Sequence, residues 1–352
     1  MLRTARGCGS LRRILFGTTV AMLALVAAIT LLTGSAFATG HHRAGARHHA
    51  SVNVPPAPLG FKLVWKDDFN GRARRSLSPA DWMYDTGTGY GCAGCPTQWG
   101  TFEIETMTKS THNVSLDGHG NLKITPIRDA NGNWTSGRIE TRRTDFSAGD
   151  NGILRVQAAI RLPQTGVGPE AAGYWPAFWM LGAPFRGNYL NWPSIGEIDV
   201  MENINGRPTA FSTLHCGTPS GGPCNETNGI GGSIDNTTLQ DGYHVYAMEL
   251  DKSVQPNQLR YYLDGTNYFT INSTQVPADT WQSATDHGFF VILNVAMGGA
   301  FPWAECNFFP HAGGCSGSTS FPDVVTPNTV SGKAMKVAYV AVYNKKPVPK
   351  KK

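Results

Sequence analysis

Six residues, Glu197-Ile198-Asp199-Val200-Met201-Glu202, place three carboxyl groups on a strand-like run with only apolar residues between them. Cleaving a glycosidic bond with retention needs two carboxyl groups roughly 5 to 5.5 Å apart, one to attack and one to give and later take a proton. On a flat strand side chains alternate faces, so Glu197 and Asp199 share one face while Glu202, five positions from Glu197, points the other way. A β-bulge adding one residue at Val200 or Met201 returns Glu202 to the face of Glu197, at an effective spacing of four. Four strand steps of about 3.3 Å put roughly 13 Å between the Cα atoms, and two Glu side chains leaning together take up most of the excess. Asp199 then sits between them, hydrogen-bonded to Glu197, and its charge helps keep Glu202 protonated. With acids at 25 of 352 positions, this acid pattern arises by chance roughly 0.1 times, and the apolar filling lowers that several-fold.

The elements that must hold these acids are strands. Residues 61–343 read as short β-rich runs separated by Gly, Pro, Asn and Asp, among them 121–125 and 154–160, with no long amphipathic helix. Residues 259–263 and 268–271 flank Asp264-Gly265 as a hairpin, and 289–295 read as a buried strand. About 280 residues of this kind predict an all-β fold, one large antiparallel β-sandwich of the jelly-roll kind with a concave groove for an extended polymer. Just before the acids, Trp175, Trp179 and Trp192 offer flat faces on which sugar rings stack, although such residues also build cores.

Both ends read differently. Arg3, Arg6, Arg12 and Arg13 precede an apolar run from Ile14 to Leu32 that closes on Ala36-Phe37-Ala38, the pattern of an export signal over residues 1–38, with an uncleaved membrane anchor as the alternative. Residues 39–59, rich in His, Ala and Pro, read as a linker, and 345–352 as a basic tail able to touch an anionic surface. The net charge of +5 comes from these ends, since the export segment holds four Arg and the tail five Lys. The remaining chain is near neutral or slightly acidic, which argues against a nucleic-acid partner.

Setting Cys8 aside, six cysteines fall in close pairs, Cys92 with Cys95, Cys216 with Cys224 and Cys306 with Cys315, as expected of local disulfides in an oxidising compartment. Cys92-Ala-Gly-Cys95 could instead be a redox or zinc site, but its flanks are Gly-rich and no second such pair follows.

The acid hexapeptide, Trp175-Pro176-Ala177-Phe178-Trp179, Thr213-Leu214-His215 and the run from Ile292 to Gly299 together resemble glycoside hydrolase family 16, over nearly all of the core. The resemblance implies a concanavalin A-like jelly roll and a retaining endo-acting enzyme on β-glucans or galactans, with Glu197 as nucleophile, Glu202 as acid/base and Asp199 as helper. The bulged acid motif is similar to that of laminarinases, agarases and carrageenases. His215 matches a position near the acid/base and Asn294 one bordering the sugar cleft; each could contact substrate or be a satisfied structural polar group. Phe102-Glu103-Ile104-Glu105 resembles a cleft-lining Asn-Glu-Leu-Gln segment, making Glu103 a further substrate-contact candidate, with Phe102 and Glu105 as departures. Ala338 stands where many members carry an Asp that serves a structural calcium, a departure that weighs against a structural calcium here without removing it as a possibility, and the mechanism calls for no catalytic cofactor or metal.

The expected activity is a secreted endo-β-1,3- or β-1,3(1,4)-glucanase, extracellular or cell-wall associated, in which a monomer meets a β-glucan polysaccharide. The rivals are a galactan hydrolase, a transglycosylase using the same acids, and a non-catalytic glucan-binding protein on the same fold.

Overall fold

A computed structural model describes residues 52–304 and 324–347. The export segment, most of the linker, the Cys306 and Cys315 pair and the last five residues lie outside the described residues.

Two antiparallel sheets pack as a sandwich. One has the strand order Thr266–Asn272, Gln258–Leu263, His244–Asp251, Ile153–Arg161, Met335–Lys345, Leu122–Ile124 and Val114–Leu116, with Lys62–Asp67 also paired to Met335–Lys345. The other runs Ile230–Asp235, Thr209–His215, Glu197–Glu202, Tyr174–Gly182, Phe289–Met297, Arg138–Thr141 and Trp82–Asp85. A small third sheet joins Thr106–Met107, Trp134–Ser136 and Ile127–Arg128. The strands expected at 121–125, 154–160 and 289–295 are all present. So is the hairpin, where Asp264 (φ 49°) and Gly265 (φ 82°) both take the left-handed backbone that a two-residue turn of this twist demands.

Side-chain alternation divides the seven-stranded sheet. Phe178, Met180, Ile198, Leu293 and Val295 point into a core shared with Val156, Ile160, Met248, Val340 and Val342 of the opposite sheet. Each aliphatic side chain so buried contributes about 1.5 to 3 kcal/mol. The intervening residues, Trp175, Ala177, Trp179 and Leu181, form the floor of a cleft on the sheet's other face.

Two boundaries move. Val52, Val54 and Ala57, inside the expected linker, pack with Phe61 on a cluster of Ala159, Ala338, Tyr339, Ala341 and Tyr343, and the Tyr343 hydroxyl donates to the Pro55 carbonyl at 2.9 Å. The final strand likewise runs through Lys345, the first residue of the expected tail. Apolar contacts that low-complexity composition does not reveal extend the folded unit at both ends. The disulfides Cys92–Cys95 and Cys216–Cys224 are formed.

Candidate active site

The acid strand is bulged at Val200. Against Tyr174–Gly182, Met201 pairs with Phe178 and Asp199 with Trp179, leaving Val200 without a partner. Val200 and Met201 are consecutive yet both buried in the core, which is what an extra residue does to alternation. As a result Glu197 stands opposite Leu181 and Glu202 opposite Ala177, with Asp199 between them, all facing the cleft. The strand's starting point is set by Gly196, at φ 73°, where a Cβ would lie 2.2 Å from the Ala284 carbonyl oxygen at the end of the helix Ala278–Thr285.

Each outer acid is held by an indole. Trp175 Nε1 donates to Glu202 Oε1 at 2.8 Å and Trp192 Nε1 to Glu197 Oε2 at 3.1 Å. The third predicted indole, Trp179, donates to Asn294 Oδ1 at 2.7 Å. Trp175, Trp179, Trp192, Asn294 and Glu103 all line the cleft with the three acids. Because Trp175 and Trp192 hold the acids, their polar ends serve the carboxyl groups while their rings face the cavity.

His215 is not among the residues lining the cleft, and its ring is engaged by carboxyl groups on both sides. It lies across the sheet from Glu197, with Nε2 3.3 Å from Asp199 Oδ2 and 4.0 Å from Glu197 Oε1. Its Nδ1 is 2.8 Å from Glu226 Oε2, so both ring nitrogens are turned to carboxylates. Ligand atoms of Glu197, Asp199 and His215 lie within 4.8 Å of one another, close enough to interact directly as an ion-paired cluster. Ala338 is buried with Ala159, Tyr339, Ala341 and Tyr343 and supplies no side-chain oxygen to a calcium ion.

The electrostatics follow from burial. Loss of water, and next the charge of Asp199, push the Glu197 carboxyl up to about 8 against the opposing pull of His215 and Arg138. Glu202 is driven well above the usual glutamate range by burial and by Asp199, against the Trp175 N–H. Burial pushes the His215 imidazole down, but its hydrogen bonds to Asp199 and Glu226 outweigh this and leave it well above an ordinary histidine.

The cleft walls hold residues that the sequence did not single out. Arg138 lies beside Asn294 in the sheet, pairs with Asp85 at 3.0 Å, donates to the Tyr90 hydroxyl at 2.5 Å, and stacks its guanidinium 4.4 Å from the Trp99 ring and 4.8 Å from Trp179. Tyr90 stacks on Tyr189 with ring centroids 4.3 Å apart, which joins the two loops flanking the cleft. At one end Thr101 donates to Glu103 Oε1 at 2.6 Å, and Glu105, fully buried, accepts the Met297 N–H at 2.8 Å. Burial and the neighbouring Glu103 push the Glu105 carboxyl well above the usual glutamate range, and in its protonated form it can donate much as an amide would.

A family model described as an XgeA-like catalytic GH16 domain matches residues 163–253. Among solved structures, the chain is similar to an endo-1,3-beta-glucanase from Streptomyces sioyaensis, with 53% identity, a TM-score of 0.76, and coverage of 84% of this chain and 100% of that one. A beta-glucanase from Rhodothermus marinus is 31% identical over 68% of this chain and 77% of its own length. A glucan endo-1,3-beta-glucosidase A1 from Niallia circulans is 30% identical over 71% of this chain, which spans 36% of that relative.

Proposed function

Because the chain belongs to glycoside hydrolase family 16, we propose that it is a secreted, retaining endo-β-glucanase that cleaves β-1,3- or β-1,3(1,4)-linked glucan by double displacement. The relatives named for activity on 1,3-β-glucan support the substrate. The observation that carries the mechanism is the bulge at Val200, which sets Glu197 and Glu202 four register positions apart on the cleft floor.

In this reading Glu202 protonates the departing glycosidic oxygen while Glu197 attacks the anomeric carbon. Glu202, now ionised, takes a proton from water, which releases the sugar from Glu197 with net retention. The two buried acids cannot both ionise cheaply beside Asp199, so one proton stays with the pair. We place it on Glu202: His215 favours the charged form of both acids, and Arg138 adds to this at Glu197. Asp199, engaged with His215, lies between the two. Trp175, Trp179 and Trp192 supply apolar faces for sugar rings, and Glu103 and Asn294 supply polar contacts.

Among the described cleft-lining residues Arg138 is the one cation, and it is committed to Asp85 and Tyr90. That favours an uncharged glucan over a sulfated galactan. The test is reducing-sugar release by the full chain from laminarin, mixed-linkage β-glucan, agarose and carrageenan in parallel. Release from laminarin supports the reading; release from a galactan alone changes the substrate, and silence on all four points to a binding protein.

A further inference from the structure

Glu226 is a buried acid that the mechanism above does not use. It is 6% exposed and lies just after the loop closed by Cys216–Cys224. Its Oε1 accepts the Cys216 N–H at 2.8 Å, and its Oε2 lies 2.8 Å from His215 Nδ1. The cradle is close-fitting: at Gly229, φ 71°, a Cβ would come within 3.0 Å of that same Nδ1 and 2.4 Å of Thr213 Cγ2. On the other side of the ring Nε2 faces Asp199 and Glu197. A carboxylate, an imidazole and two catalytic-cleft carboxyls thus form one continuous chain from the disulfide loop to the site.

We propose that Glu226 is a positioning residue for the reaction, holding His215 as an imidazolium whose Nε2–H points at Asp199 and Glu197 and so fixing the positive charge that faces the attacking carboxylate. The inference rests on the role given to Glu197 above. As a carboxylate with Oε1 taken by a backbone N–H, Glu226 accepts a proton-bearing Nδ1 through Oε2; an N–H on Nε2 toward Asp199 then makes the ring cationic. The titratable groups facing the imidazole are Asp199 and Glu197 from the acid strand and Glu226 from the loop, with Glu202 further along; the Trp192 ring, 5.6 Å away, carries no charge. At Glu197 the nearer His215 charge outweighs that of Glu226 behind it, and it stands above Glu226 among the influences on that carboxyl.

Glu226→Gln tests this. An amide can still accept the Cys216 N–H, but it turns an NH2 toward Nδ1, which then has to accept and leaves the ring neutral. In full-length protein with labelled imidazole, NMR titration is expected to show His215 protonated at about pH 7 in the wild type and its pKa lowered by about one unit or more in the variant. The acid limb of kcat/KM on laminarin should move to higher pH, with kcat down about tenfold and KM within about twofold. A neutral His215 in the wild type at neutral pH overturns the inference, even if Glu226→Gln does not fold. An unchanged titration or pH profile in a folded variant overturns it too. If the wild type releases no sugar from laminarin, the glucanase reading fails instead, and the titration alone decides the role of Glu226.

Discussion

Glu197 and Glu202 are five residues apart along the chain but four apart across the sheet, a count on which both neighbouring strands agree. On one side they meet Leu181 and Ala177, and on the other His215 and Phe211. The bulge therefore belongs to the acid strand itself, and it converts an odd spacing into a shared face. A variant lacking Val200 would restore regular alternation with both glutamates still on that face. It should keep more activity on laminarin than Glu202→Gln; no activity above that level in a folded protein would show that the bulge does more than choose the face.

Trp175 bears directly on Glu202, the proposed acid/base. Its N–H favours the ionised form of Glu202, and Trp175→Phe keeps a ring while removing that donor. Losing a hydrogen bond to a charged group costs about 1.5 to 3 kcal/mol, so kcat/KM should fall about ten- to a hundredfold. Glu202 should then hold its proton to higher pH, moving the alkaline limb of the pH profile upward. A downward move contradicts the contact.

Asp199 acts in the opposite sense. Its charge raises both Glu197 and Glu202, so Asp199→Asn should lower both and shift the whole pH profile toward acid. The rate should fall less than in either glutamate variant, and an unchanged rate and profile would remove Asp199 from the site.

Glu105 makes a prediction about stability rather than rate. Its folded-state proton is held well above the ordinary value of 4.5, chiefly by burial and next by Glu103. The native state thus binds the proton more tightly than the unfolded chain, and the associated stability is lost as pH rises from that value toward the folded one. Glu105→Gln, which keeps a donor without a titration, should gain in Tm over the wild type as pH is raised from about 5 to 9. A constant difference across that range would show that Glu105 is not buried as an acid.

Much of this was legible because short-period patterns determine it. Alternation marked the strands, Asp264-Gly265 the hairpin, and the odd spacing of Glu197 and Glu202 required the bulge, which the structure has at Val200. The three tryptophans were found as a cluster next to the acids. What escaped notice depends on chain segments far apart in sequence. Arg138 gains meaning only from Asp85, Tyr90, Trp99 and Trp179. Glu226 sits in a polar loop with nothing local to separate it from solvent-facing acids, and His215 turned out to face carboxylates because Glu226 lies behind it. Residues 52–57 resembled linker because the surface they cover belongs to the last strand.

The central claim is that Glu197 and Glu202 work as a retaining pair. Proton NMR of the reducing ends formed first from a laminarin oligosaccharide, before they mutarotate, tests it most directly. The account predicts β-anomers at the outset, with α-anomers appearing only as mutarotation proceeds. Initial formation of α-anomers would contradict it, since a single displacement by water would then be the reaction.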